Sequence, residues 1–599
     1  MSQYHAPLKE MHFVLESLAG LEQVGKLPGF EEATPDTVAA VLEEAARFAT
    51  EVLDPLNAVG DREGARRLDD GSVRTAPGFK EAYLQYCANG WNGLTKNPDF
   101  GGQGLPQLVA TAVEEMWHAS NMAFDLCPLL TQGAIEAIEL VGTPEQKERY
   151  LPKMVEGVWT GTMNLTEPQA GSDLAAVRTR AVPQKDGSYK LYGQKIFITY
   201  GEQDYTENII HLVLARTPTA PEGVKGISLF IVPKLLVSPD GSLGARNDVH
   251  CVSLEHKLGI HASPTAVLAY GDHGGATGYL VGQENRGLEY MFIMMNQARF
   301  SVGLEGVGLA ERAYQRAAAY AKERVQGRPI GETVAGRATI IHHPDVRRML
   351  LSMKAQTEAM RALAYVTAAA LDNARRHPDA QARKHHQAFV DLMIPIVKGW
   401  CTETAQEVAY TGVQVHGGMG FIEETGAAQH YRDARIITIY EGTTGIQAND
   451  LVGRKTARDA GAAAFAVIAE MQKLDTDLAR QSGAEFAAIR RELAAAASAL
   501  RGAVEWIVRS SGSDPRAAYA ASVPYLKLWG ITAGGWQMAR AALAAATRLA
   551  EGASDAAFYR AKIATARFYA DYFLPQARAL EHAVVTAGES VLALADEQF

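Results

Sequence analysis

The chain has 599 residues, 47% hydrophobic and 21% charged, with a formal net charge of −10. That length exceeds one ordinary core, so two to four packed units are expected, and the composition excludes disordered, collagen-like and membrane-embedded classes. The mild acidic bias comes without a clustered basic stripe, so no nucleic acid is expected as a partner.

Cys87, Cys127, Cys251 and Cys401 lie far apart without C-x-x-C spacing. They suggest neither a disulfide framework nor a zinc site and fit a reducing compartment. The opening MSQYHAPLKEMHFVLESLAG mixes His, Lys and Glu into its apolar residues, unlike a signal peptide. No run of about eighteen uncharged apolar residues follows, so no transmembrane segment is expected and the expected setting is cytoplasmic.

Residues 1–40 read as a short helical extension ending in EEATPD, where Thr34 or Asp36 is placed to cap the next helix. Residues 41–160 read as an N-terminal helical domain. Segments such as TVAAVLEEAARFATEVLDPL and QLVATAVEEMWHA space apolar residues three and four apart, and NPDFGGQGLP interrupts them as a loop. From 161 to 282 the texture changes to SYKLYGQKIFITYG, NIIHLVLAR, GISLFIVPK and AVLAYGD, short runs between turn residues that predict a central β domain. Residues 283–455 return to helical patterns, beginning with a stretch that is one helix or two bent at glycines. The Ala-rich segments of 456–599 read as an additional helical domain with a packing and assembly role. Helices, then strands, then helices give an α+β class and argue against a Rossmann site.

Three local sequences carry chemistry. In RIITIYEGTTGIQ an apolar run leads Glu441 into a glycine turn and then a helix, for which Thr444 and Gln447 have capping-box spacing. A carboxylate beside Ile439, Tyr440 and Gly442 at an apolar cleft would be desolvated towards the range of a useful base. Taken alone, such a glutamate is more often solvated structure. NLTEPQAGSD, residues 164–173, offers hydroxyls and accessible N–H groups suited to a polar cofactor edge, or serves as an ordinary capped loop. KIFITYG, residues 195–201, places Phe197 and Thr199 on one strand face, where they meet a flat ring or fill a β core.

TEPQAGSD, KIFITYG, RPIGE, QVHGGMGF and YRDARIITIYEGTTGIQ together resemble the motifs of the acyl-CoA dehydrogenase family, in its order and spacing, over roughly residues 40–455. The resemblance implies an N-terminal helical domain, a β-barrel-like central domain and a C-terminal four-helix bundle, with FAD between the last two. It implies that Met163, Leu165 and Thr166 line the flavin, and that Ser172 lies at flavin and CoA. Phe197, Ile198 and Thr199 would pack by the ring, Thr199 being the neighbour of N5. Arg324, Gln414, Gly417 and Gly418 resemble the residues that hold the adenine and diphosphate end across a subunit contact, and Thr443 belongs with the cofactor set. Asn296 and Arg299 occupy the family's D-x-x-R substrate segment, with Asn in place of Asp, and Ser172 and Gly442 complete the acyl-CoA contacts.

By the same resemblance Glu441 is the base that removes the α proton while the β hydrogen leaves as hydride to FAD, giving a trans-2-enoyl-CoA. The implied donors to the thioester carbonyl are the Glu441 N–H and a ribityl hydroxyl of FAD, and the implied electron acceptor is an electron-transfer flavoprotein. A few members carry the base on the Arg299 helix, but position 298 here is Ala. Position 326 lacks the usual Phe before Gly327, Gly445 replaces a common Gln, and Phe197 replaces a Trp. The extension and tail resemble a larger bacterial branch that includes 3-(methylthio)propanoyl-CoA dehydrogenases and longer-chain acyl-CoA dehydrogenases, often homodimers. Rival readings are a flavin monooxygenase or oxidase of the same fold, which needs no base at 441, and an assembly protein without turnover. No G-x-S-x-G elbow supports a serine hydrolase. His342, His343, His385 and His386 read as solvated pairs, and no metal is expected.

Overall fold

The structure, a computed structural model, describes residues 3–331 and 337–599, apart from the side chains at 293, 294 and 587. The chain divides into two units, one formed by Met1–Ala46, Pro106–Ala119 and Val302–Phe599, the other by Arg47–Leu105 and Ser120–Ser301. The order of elements is the expected α+β one: N-terminal helices, a central β domain, a helical bundle and an added helical module.

In the second unit an eight-stranded sheet runs in the order Val249–Leu254, Thr265–Tyr270, Tyr189–Thr199, Ala276–Val281, Ser228–Pro233, Asn208–Ala215 and Trp159–Asn164, with Arg180–Pro183 also paired to Tyr189–Thr199. Among the described strands Trp159–Asn164 and Asn208–Ala215 pair in parallel and the other ladders are antiparallel, with one further parallel bridge between Arg180 and Arg216. Leu191, Ile198, Phe230, Val232, Leu268 and Tyr270 point inward to one buried cluster, and the strands Trp159–Asn164, Asn208–Ala215, Ser228–Pro233 and Thr265–Tyr270 are buried on both faces. Along Tyr189–Thr199 the register slips, so that Ile196 and Phe197 together oppose Val267. This is a β-bulge, and Phe197 takes a left-handed φ of 59° within it.

In the first unit, helices Pro344–Arg376 and Ala380–His416 form an antiparallel hairpin on which the last part of helix Gly287–Glu323 packs. That helix is continuous. Its glycines serve close approach and not a bend: a Cβ on Gly306 would sit 2.7 Å from the Cys401 carbonyl oxygen. The helices Ala462–Ala479, Ala484–Ser513, Ser522–Ala550, Ala556–Tyr572 and Gln576–Val591 form the added module. Ser522–Ala550 lies against the hairpin, where Gly530 leaves room for the Trp400 indole; a Cβ there would meet its Cγ at 2.0 Å. Trp400 is 4% exposed, a burial of roughly 3 kcal/mol. At the N-terminus Thr34 caps helix Pro35–Phe48, accepting the Thr37 N–H at 3.2 Å, which resolves the choice between Thr34 and Asp36. No described helix is long and apolar enough to cross a membrane.

Candidate active site

Within the first unit the residues around Glu441 form a tightly held turn. A 3-10 segment Arg435–Thr438 ends two residues before Tyr440, and helix Thr444–Asp450 begins three residues after Glu441. Between them Glu441 has φ 54° and Gly442 φ 88°. A left-handed glutamate costs about 1–2 kcal/mol, and such strain persists only where the surroundings over-determine the backbone. Here two buried side chains do so. Lys398, fully buried, donates through Nζ to the carbonyls of Ile437 and Gly442, both at 2.8 Å. Gln447 Nε2 donates to the carbonyls of Glu441 and Gly442, both at 3.1 Å.

The helix cap lies one residue before its expected place. Thr443, not Thr444, accepts the N–H of Ile446, at 3.3 Å, because Thr443 has the extended ψ of 163° that an N-cap needs. Gln447 consequently turns back to the strained turn and does not close a capping box. The Tyr440 hydroxyl donates to the carboxyl of Glu305, which is fully buried. Burial pushes Glu305 up to about 8, against the Tyr440 hydrogen bond and the Lys398 charge that pull it down, while the charge of Glu441 adds to the rise. Glu441 itself is half-buried.

Within the second unit, the 164–173 loop and the strand Tyr189–Thr199 are joined by an ion pair. Lys195 Nζ meets Glu167 Oε1 at 2.8 Å with both side chains buried, and also donates to the Leu165 carbonyl at 3.0 Å. Glu167 further accepts the Thr179 hydroxyl at 2.6 Å and the N–H of Arg178 at 2.7 Å. Burial alone would raise Glu167, but Lys195 and these donors outweigh it and hold the carboxyl at about 2. Thr166 accepts the Ile196 N–H at 2.9 Å. Leu165 and Thr166 are thus fastened beside the bulged strand that carries Phe197, Ile198 and Thr199, and Met163 precedes them on strand Trp159–Asn164. Phe197 is not a core residue: its ring is 59% exposed, whereas Ile198 is 2% exposed and packs inward. Thr199 is half-buried and Ser172 exposed. An uncovered aromatic ring beside a hydroxyl is a surface that the flat ring of FAD fits. Further along, Asn296 is exposed on helix Gly287–Glu323, and Arg299, one turn on, is 3% exposed.

The segments of Arg324 and Gln414–Gly418 meet through Tyr320 and His416, whose rings stack with centroids 4.4 Å apart. Tyr320 accepts the Arg324 N–H at 2.9 Å, and Gln414 accepts that of Gly417. Arg324, Gln414, Gly417 and Gly418 are all exposed, and a Cβ at either glycine would meet nothing within 4 Å. An open glycine backbone of this kind fits a diphosphate. Glu332, the last residue of RPIGE, lies outside the described residues.

Sequence reasoning missed Lys398, Glu305 and the Glu167–Lys195 pair. Lys398 and Glu305 are signalled only as lone charges in apolar runs, and Glu167 and Lys195 stand inside TEPQAGSD and KIFITYG with nothing local to mark them as a pair. It also passed over Asp248, His250 and His273, whose side chains converge on the β domain. There Asp248 accepts from both rings and from the N–H groups of His273 and Gly275.

Four family models tile the chain: the N-terminal domain of acyl-CoA dehydrogenase over residues 35–158, its middle domain over 162–272, its C-terminal domain over 285–455, and an acetyl-CoA dehydrogenase C-terminal-like model over 465–595. A 3-methylmercaptopropionyl-CoA dehydrogenase of Ruegeria pomeroyi is 51% identical over 98% of this chain and 99% of its own length. The broad-specificity linear acyl-CoA dehydrogenase FadE5 of Mycobacterium tuberculosis is 35% identical over the whole of both chains. In fold, Caenorhabditis elegans ACDH-11, solved with C11-CoA, matches 99% of this chain and 97% of its own with a TM-score of 0.75 at 20% identity. The chain belongs to the acyl-CoA dehydrogenase family.

Proposed function

We propose that this FAD-dependent acyl-CoA dehydrogenase uses Glu441 to remove the α proton of an acyl-CoA and releases a trans-2-enoyl-CoA. The observation that carries this reading is the strained Glu441 turn, fastened from beneath by Lys398 and Gln447. Strain of about 1–2 kcal/mol kept by buried donors marks a side chain whose direction matters. A proton next to a thioester is weakly acidic, so its removal needs a donor at the carbonyl oxygen as well as a base. The Glu441 N–H is that donor in this reading.

The flavin of FAD would be held by Met163, Leu165, Thr166, Ser172, Phe197, Ile198 and Thr199, and the adenine and diphosphate end by Arg324, Gln414, Gly417 and Gly418 across a subunit contact, with Thr443 in the cofactor set; when bound FAD supplies the acceptor for the β hydrogen. Asn296, Arg299, Ser172 and Gly442 would position the acyl-CoA. The substrate we favour within this class is a short thioether acyl-CoA, as in the name of the 51%-identical relative. The electron acceptor in this reading is an electron-transfer flavoprotein, supported by the family resemblance. A homodimer is supported by exposed apolar residues near the open glycines, among them Met419, Phe421 and Ile422. A cytoplasmic setting agrees with four free cysteines.

The test is anaerobic flavin bleaching with short, medium, long and 3-(methylthio)propanoyl-CoA. Glu441→Gln is expected to keep FAD and acyl-CoA binding and to lose at least ~10³-fold in bleaching rate with every substrate. Bleaching at the wild-type rate in that variant would remove Glu441 from its role, and a long-chain optimum would remove the thioether preference.

A further inference from the structure

Glu305 is an acid in a place that does not solvate acids. It sits on helix Gly287–Glu323 with no exposed surface. One oxygen, Oε2, takes the Tyr440 hydroxyl. The other, Oε1, is buried with no hydrogen-bond partner among the described residues. Lys398 on helix Ala380–His416 is the cation that faces it, and Glu441 is the facing anion. Yet Lys398 spends its donors on the carbonyls of Ile437 and Gly442, which bracket the turn, and not on Glu305. A carboxylate with a single donor in a dry interior is strongly disfavoured; the neutral acid is not. Tyr440, which it holds, is the residue immediately before Glu441.

We infer that Glu305 is a positioning residue for proton abstraction: as a neutral carboxylic acid it anchors Tyr440 and hence the Glu441 turn, while leaving Glu441 the only negative charge of the pair. The inference rests on Glu441 being the base. Its physical content is that two neighbouring carboxyls titrate as a pair. Near neutral pH Glu305, raised by burial, keeps its proton. When Glu305 loses its proton, close to the value of about 8 to which burial pushes it, a second charge faces Glu441 and raises its affinity for a proton. The base-side rate then rises, because taking up the α proton relieves that repulsion.

The experiment compares wild type, Glu305→Gln and Glu305→Ala, with Glu441→Gln alongside, as FAD-loaded enzyme. Bleaching by a saturating acyl-CoA is followed across pH, and the infrared spectrum is recorded for the carbonyl stretch of a protonated carboxylic acid. Wild type is expected to gain about tenfold in bleaching rate between pH ~7 and ~9.5, a factor of ten corresponding to one unit of differential interaction. Glu305→Gln, an uncharged isostere that still accepts from Tyr440, lacks that alkaline limb and lacks the acid carbonyl band. Glu305→Ala leaves the Tyr440 hydroxyl without its acceptor, so its kcat falls about tenfold at every pH with KM within about twofold, and Gln recovers most of that loss. An alkaline limb in Glu305→Gln equal to that of wild type, or a wild-type infrared spectrum lacking the acid band, overturns the inference. If Glu305→Ala fails to fold, the Gln variant and the infrared band still decide. Turnover in Glu441→Gln instead sinks the base assignment; a dead Glu441→Gln with an unchanged Glu305→Gln profile sinks only the role of Glu305.

Discussion

The ammonium of Lys398 and the carbonyl of Gly442 lie 2.8 Å apart, although 44 residues separate them in the chain. The same ammonium takes the Ile437 carbonyl, so one buried cation ties both ends of the Glu441 turn. Charge-assisted hydrogen bonds of this kind contribute about 1.5–3 kcal/mol each. Lys398→Met keeps the apolar stem and removes both donors. It is expected to lower stability by about 3 kcal/mol and to slow bleaching by ten- to a hundredfold, since misplacing a reacting group by about 1 Å costs that order. Urea unfolding and rapid-mixing reduction measure the two effects separately, and an unchanged rate in the folded variant would show that the turn holds without its cation.

The Glu167–Lys195 pair fastens the 164–173 loop to the bulged strand. Removing one partner of a buried pair costs about 3–5 kcal/mol because the other charge is stranded. Lys195→Met is therefore expected to cost that much at neutral pH, with Glu167→Gln added on top restoring part of it. The pH dependence has a definite sign. Glu167 is depressed from an ordinary 4.5 to about 2, so its contribution is complete above about 4.5 and is lost as pH falls towards 2. The difference between wild type and Glu167→Gln in urea midpoint should shrink over that window.

Phe197 offers a way to tell a cofactor surface from a packing residue. It stands at φ 59° with most of its ring uncovered. Glycine relieves a left-handed strain of about 1–2 kcal/mol and costs about 0.5–1 kcal/mol in chain entropy. Phe197→Gly without FAD is thus expected to be as stable as wild type or up to ~1.5 kcal/mol more stable. Its affinity for FAD should drop roughly two- to tenfold, the worth of an aromatic contact. Thermal unfolding of FAD-free protein and FAD titration read these apart; loss of stability without loss of affinity would return Phe197 to a structural role.

The sequence disclosed the parts of the site that are local. Glu441, Gly442 and Thr443 announce a turn and a helix start within a few residues, and KIFITYG announces a strand, although the bulge at Phe197 breaks the period-two spacing expected to put it on one face with Thr199. The cap stands at Thr443, one residue before the position that spacing favours, because two adjacent threonines satisfy the same rule and only ψ distinguishes them. What supports these residues was not legible. Tyr440 and Glu305 are 135 positions apart, and no local pattern says that a glutamate between Leu304 and Gly306 is buried against a tyrosine. The bulge that turns Phe197 outward likewise depends on its partner strand Thr265–Tyr270, not on KIFITYG itself.

The N-terminal extension is fixed to the added module by a buried ionic group. Lys562 donates to Glu10 at 2.5 Å and to Glu358 at 2.7 Å, and Glu358 also pairs with Lys354. All but Lys354 are nearly inaccessible to water. Glu358 serves two lysines, whereas Glu10 serves one. Burial alone would raise Glu358, but the two ammonium groups hold it at about 2; burial instead keeps Glu10 above its ordinary value. Glu358→Gln is therefore expected to cost about 3–5 kcal/mol, the penalty for uncompensated buried charge. Glu10→Gln leaves Lys562 its stronger partner and should cost only about 1–2 kcal/mol. The wild-type advantage over Glu358→Gln is fully present above pH ~4.5 and disappears as pH falls towards 2, because a depressed carboxyl stabilises only while ionised. Urea midpoints of both variants at neutral and acid pH test the ordering, and an equal cost for the two would mean that Lys562 draws on its carboxylates alike.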